Sequence, residues 1–389
     1  MGHESRLAQN ARVAASAGDE SRLRELHELG GEAAASLAAA NGIGYTPAHW
    51  AARHGQEGFL RALHELGSET AASLAAADAR DDTPAHQAAA NGHEGCLRAL
   101  HELGGETAAS VAAANADGDT PAHQAAAGEH EGCLRALHEL GGETAASVAA
   151  ANARGDTPAH CAAEWGHEGC LRVLHELGGV AATSVLAANA DGSPPAHCAA
   201  MYGHEGCLRE LHELGGEAAA SLAATHADGW TPAHCAAEYG NEACLRVLHE
   251  LGGVAAASLA AVHAGGWTPA QCAASNGCKG CLRVLHMALR KYLLTRVRGI
   301  ARVHVFLARW WADAREAAYA PGGAGYARAR ASFETNRVAL QLAELRARKE
   351  EAEDKMQTAV DDDDFEAASE LQELVDALAD EIDQLEASL

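Results

Sequence analysis

Aromatic side chains are scarce, 4 % of 389 residues in a chain that is 48 % hydrophobic, so the apolar content rests on alanine, which suits short, closely packed helices. No run of about 18 apolar residues occurs, so no segment is expected to span a membrane. The N-terminus, Met1-Gly2-His3-Glu4-Ser5-Arg6, has no apolar signal core, and Arg6 stands where a myristoylation site would want Ser or Thr. Basic residues are also in short supply. The 29 Lys and Arg face 54 Asp and Glu, a net charge of −25, which disfavours nucleic-acid binding through the bulk of the chain. There is no phosphate loop, no kinase signature, no G-x-S-x-G and no metal-ligand spacing, so no enzyme, cofactor or metal site is expected. The expectation is a soluble intracellular protein, cytoplasmic, with a nuclear location left open.

What is abundant is repetition. Thr-Pro-Ala-His begins at Thr46, Thr83, Thr120, Thr157 and Thr231, appears as Pro194-Pro195-Ala196-His197, and returns at Thr268 ending in Gln271, each step being 37 residues. A constant period of this size means a stacked array whose members cannot bury their apolar faces alone. In the fourth repeat Thr157 is placed to cap a helix A that begins at Pro158, and Gly166 to stop it in a left-handed conformation. After His167, helix B opens with Glu168, expected to pair with Arg172 at i+4, and carries Leu171, Leu174 and Leu177 as a buried stripe up to Gly178-Gly179. The alanine-rich residues 143–151 predict a short helical turn in place of a plain β-finger.

Thr-Pro-Ala-His-x-Ala-Ala, then Gly-His, then Leu171-x-x-Leu174, resembles the ankyrin repeat over roughly residues 8–288. The resemblance implies an all-α ankyrin-repeat solenoid of helix pairs that binds proteins, with His160 hydrogen-bonding to backbone between repeats. Three departures stand out. Ala48, Ala85, Ala122 and Ala159 replace a usual Leu; His64, His101, His138 and His175 replace a second Leu on helix B; and the period of 37 exceeds the usual figure of about 33. Residues 1–43 read as an N-terminal capping repeat, with Leu23, Leu26 and Leu29 keeping the stripe and Gln9-Asn10-Ala11-Arg12 replacing the Thr-Pro motif. Seven full repeats then fill 44–288.

Ten of the 11 cysteines fall in two columns, Cys96, Cys133, Cys170, Cys207, Cys244 and Cys281, and Cys161, Cys198, Cys235 and Cys272. Equivalent positions of stacked helices lie about 10 Å apart, beyond the reach of about 7 Å of a disulfide, so these are expected to be small buried thiols in a reducing compartment. Cys278-Lys279-Gly280-Cys281 is a lone C-x-x-C, with Cys278 in a column that elsewhere holds His. Repeated Thr and His imitate a catalytic pair, but an enzyme needs one site and here the arrangement recurs along the array. A helix-B column led by His175, buried in place of leucine, would make stability pH-sensitive.

Comparing repeats separates framework from free positions. The slot before the Gly166 equivalent holds Trp165, Tyr202 and Tyr239 in consecutive repeats, and His54, Asn91 and Asn276 among the others. The slot before Thr-Pro holds Trp230, Trp267 and Tyr45, with Asp82, Asp119, Asp156 or Ser193 between. In ankyrin proteins both slots border the concave face, and Trp and Tyr dominate interface hot spots. Trp165, Tyr202, Trp230, Tyr239 and Trp267, near Glu164 and Glu238, are therefore the expected partner-binding patch, the alternative being that these rings pad neighbouring repeats.

From Met287 the period stops. Leu289, Leu293, Val297, Ile300, Val303, Leu307 and Trp310 predict a long amphipathic helix over 289–320, and residues 287–330 carry a local charge of +7. Pro321-Gly322-Gly323-Ala324-Gly325 mark a hinge over 321–326. Near-heptads led by Val338, Leu342 and Leu345, and by Phe365, Leu371, Val375 and Leu378, predict an acidic antiparallel coiled-coil hairpin over 327–389 that weakly resembles the UVR motif. Residues 331–389 carry a net charge of −13, so the hairpin is expected to fold onto the basic helix or to self-associate. The function expected is a protein–protein interaction scaffold or adaptor, with the C-terminal helices giving a second contact. The alternative is a peripheral membrane or nucleic-acid tether through residues 287–330.

Overall fold

The computed structural model describes residues 6–296 and scattered helical positions between Lys349 and Gln384. The predicted hinge, and the hairpin apart from those positions, lie outside the described residues, as does the basic helix beyond Arg296. No helix among the described residues is long and apolar enough to cross a membrane. The chain divides into two compact bodies, Met1–Cys235 with Leu251–Ser258, and Ala236–Glu250 with Leu259–Leu389.

The first body is a stack of helix pairs. Helices A at Pro47–Arg53, Pro84–Ala90, Pro121–Ala127, Pro158–Trp165 and Pro195–Tyr202 pack each on the next, and so do helices B at Glu57–Glu65, Glu94–Glu102, Glu131–Glu139, Glu168–Glu176 and Glu205–Glu213. The cap packs on the first repeat through Arg6–Ala17 and Glu20–Glu28. In helix B of the fourth repeat the buried face is Cys170, Leu171, Val173 and Leu174, while Leu177 is only half-buried. Leu171 and Leu174 are fully enclosed, worth about 1.5–3 kcal/mol each.

Thr157 and His160 form a reciprocal cap at the start of helix A. The Thr157 amide donates to His160 Nδ1 at 3.0 Å, which places the ring proton on Nε2, and Nε2 donates to the Ser193 carbonyl at 2.9 Å in the next repeat. The same bridge, 33 residues long, runs from His49 to Asp82, His86 to Asp119 and His123 to Asp156. One histidine thus caps its own helix and ties down its neighbour's loop. Gly166, at φ 83°, ends helix A in the left-handed region.

Four expectations change. The short helix after each double glycine is present, as in Gly142–Ser147, but it precedes the finger and does not replace it. The finger survives as a tight loop in which Asn152 Oδ1 accepts from the Arg154 and Asp156 amides, while Ala153 N–H donates to the Asp117 carbonyl of the preceding finger. Arg172 pairs with the buried Glu210 of the following repeat, not with Glu168. Arg61–Glu102, Arg98–Glu139 and Arg135–Glu176 do likewise across 41 residues at 2.6–2.7 Å, because stacking brings the next helix B within reach.

His175 and His64 are exposed and His101 and His138 half-buried, because the helix-B core face is already filled by the Cys, Leu and Val or Ala positions. The buried histidines belong to the Thr-Pro motif. Finally, Cys278 and Cys281 are joined as a disulfide with Cα atoms 5.4 Å apart, since they share one helical turn and not a column between repeats.

In the second body, helix A at Pro269–Ser275 packs against a single helix, Lys279–Arg296, which begins as helix B of the seventh repeat and continues into the basic segment.

Candidate protein-interaction face

The slot at the end of helix A is exposed because the left-handed glycine turns the chain immediately after it. Trp165 precedes Gly166 and is 60 % exposed; Tyr202 precedes Gly203, at φ 87°, and is 52 % exposed. Glu164 links them. Its carboxylate lies 3.8 Å from Arg154 Nη2 and accepts from the Tyr202 phenol, and its backbone carbonyl accepts from His204 Nε2 at 2.8 Å. Burial and the Glu164 carboxylate raise the Tyr202 pKa, so the phenol stays protonated and donates. Tyr202, Glu164 and Arg154 thus form one cluster in which a half-buried carboxylate meets an exposed guanidinium, and the exposed Trp165 follows Glu164 directly in the chain.

Trp230 belongs to a different setting. It is half-buried, its ring stacks on His226 at 6.1 Å, it lies 6.0 Å from His234, and its carbonyl accepts from His197 Nε2 at 2.9 Å. Trp230 therefore braces its own finger. The sequence carries this signal: Asn115, Asn152 and Asn189 of the fingers each bond an aspartate of the preceding finger, and where Trp230 and Trp267 appear four residues on, the asparagine has become His226 and His263. In the second body, Tyr239 is 60 % exposed, Trp267 is half-buried, and Glu238 is half-buried with its carbonyl accepting from Asn276 Nδ2 at 2.7 Å.

A further aromatic cluster escaped sequence reasoning. Trp50 lies in the helix-A slot that holds Cys161 in the fourth repeat. The Arg12 and Arg53 guanidinium carbons lie 5.5 and 5.9 Å from its ring centre, His54 stacks on it at 6.1 Å and Tyr45 meets it edge-on at 5.9 Å.

Against known families, a family model for ankyrin repeats, three copies long, matches residues 12–109, 105–184, 147–221, 178–255 and 196–292 in overlapping windows. The chain belongs to the ankyrin repeat family. No curated protein matches it. Ankyrin repeats generally mediate contact between proteins, and the helix pairs described above are the all-α ankyrin scaffold on which the Trp165 cluster is displayed. Among the described residues no group of three or more His, Cys, Asp or Glu is placed to hold a metal ion.

Proposed function

We propose that this ankyrin protein is an interaction scaffold that docks a protein partner on the face bearing Trp165 and Tyr202, with Glu164 at its centre. In the second body, Tyr239, Glu238 and Trp267 are proposed as further partner-contacting residues, and residues 327–389 as a second contact or self-association. One observation carries this reading. In a chain with few aromatics, consecutive repeats place Trp165, Tyr202 and Tyr239 in one slot, each more than half exposed, whereas the fold fills that slot elsewhere with His, Asn or Gly. Exposed broad rings beside a fixed carboxylate are what a hot spot requires.

Proximity labelling compared between wild type, the pair Trp165→Ala/Tyr202→Ala and the remote control Glu143→Ala tests the reading. The proposal expects proteins labelled by wild type and by the control to be lost in the pair, with affinity for a recovered partner down at least about 30-fold. Unchanged labelling and affinity in the pair would refute it.

A further inference from the structure

The cysteines of this chain occupy two chemical environments. Burial pushes the thiols of Cys96, Cys133, Cys170, Cys198 and Cys272 up to about 12, so at pH 7 only about one molecule in 10⁵ carries the thiolate that reacts. Cys278 and Cys281 differ in position. Cys278 is half-buried and directly precedes the 18-residue helix Lys279–Arg296, and the Cys281 amide donates to its sulfur at 3.3 Å. Cys281 is fully enclosed in the first turn of that helix.

The seventh repeat is altered at just these positions. His93, His130, His167 and His204 precede helix B in other repeats, each with Nε2 on a carbonyl in helix A of the previous repeat. Cys278 replaces that histidine, with its sulfur 3.9 Å from the Gly240 carbonyl oxygen. The next residue, glutamate in the other six repeats, is the exposed Lys279. A helix start, an amide donor and an ammonium group all favour a thiolate at Cys278. The opposing carboxylate is Glu242, which lies where a Cβ on Gly280 would stand, and Arg246 pairs with it at 2.5 Å.

We propose that Cys278 and Cys281 form a reversible thiol–disulfide exchange site that takes a low-molecular-weight disulfide of the glutathione class as oxidant and the corresponding thiol as reductant. In the oxidising direction the Cys278 thiolate attacks one sulfur of the external disulfide, forming a mixed disulfide and releasing one thiolate. Cys281 loses its proton to solvent and attacks Cys278 Sγ, closing the protein disulfide and expelling the second thiolate. Two protein thiols are oxidised and one external disulfide is reduced to two thiols, with the protons taken from solution. The partly exposed Cys278 is the entry point and the enclosed Cys281 resolves.

The test equilibrates the full native chain in glutathione buffers spanning reduced to oxidised ratios, blocks free thiols, and reads each cysteine by mass spectrometry. Trypsin cuts after Lys279, so the two cysteines fall on separate peptides that remain linked only when the disulfide is present. The proposal expects this pair alone to interconvert across the series. It also expects Cys278 in the reduced chain to alkylate at least about 100-fold faster than the buried thiols. Cys281→Ser should accumulate a glutathione adduct at Cys278, and Cys278→Ser should form none. A pair that stays linked, or stays reduced, throughout the series overturns the proposal, as does alkylation of Cys278 at the rate of Cys96. These readouts on the wild-type chain hold even if a variant fails to fold.

Discussion

Trp50 and Trp165 stand on helices A three repeats apart in the same body, and the chain treats them oppositely. Around Trp50 it supplies Arg12 and Arg53 over the ring, His54 in a stack and Tyr45 at the edge. Around Trp165 it leaves 60 % of the residue exposed, and its contribution is a neighbouring carboxylate already held by Arg154 and Tyr202. Two tryptophans on one scaffold therefore sit in different settings: the first ties the cap to the array, and the second, left exposed, is the one proposed to meet a partner. Trp230, stacked on His226, sides with Trp50.

The largest predicted effect asks whether both regions rest on one framework. His49 near Trp50 and His160 near Trp165 are both buried, as are His86, His123 and His197, and burial lowers the pKa of each below the usual 6.5, His197 to about 4. A histidine depressed in the fold stabilises fully above pH 6.5, and that stability is lost as pH falls from there through the folded value. His197 alone accounts for about 3 kcal/mol over the window from 6.5 to about 4. Urea midpoints should be flat above pH 7 and fall steeply below 6.5. Both regions should loosen together in hydrogen exchange, and loss confined to one would break the comparison.

Next, Trp50→Ala should lower stability by about 2 kcal/mol, from lost burial and two cation–π contacts, while leaving affinity for a captured partner unchanged. A normal urea midpoint with weakened binding would place Trp50 in the docking face. The smallest effect concerns the opposite side of the fifth repeat. Glu210 is enclosed in helix B where the fourth and sixth repeats hold Val173 and Val247, and Arg172 is its partner. Glu210→Val should be neutral or stabilising by about 1 kcal/mol in denaturation and should leave partner binding intact, separating helix B from the Trp165 face.

The repeat, the helix pairs, the Thr-Pro cap and the histidine bridge were legible because each repeats in register, so local rules were confirmed several times over. The Arg–Glu ladder was not: Arg172 has Glu168 four residues back, and nothing in one repeat's spacing shows that Glu210 of the next lies nearer. The outward turn of His175 was hidden for a similar reason, since a strong stripe at Leu171 and Leu174 does not tell how much of the adjacent strip stacking will cover. Within the aromatic set, Trp165 and Tyr202 are exposed as anticipated, whereas the joint change of Asn152 and Asp156 to His226 and Trp230 marked Trp230 as a finger brace and was there to be read.

The distinction between a ring left for a partner and a ring needed by the fold comes down to the stability of Trp165→Ala/Tyr202→Ala. Urea denaturation at pH 7.5 should place the pair within about 1 kcal/mol of wild type, the loss being little more than the Tyr202–Glu164 hydrogen bond. A loss of about 3 kcal/mol or more would show that these rings hold neighbouring repeats together, and would contradict the assignment of Trp165 and Tyr202 to a docking face.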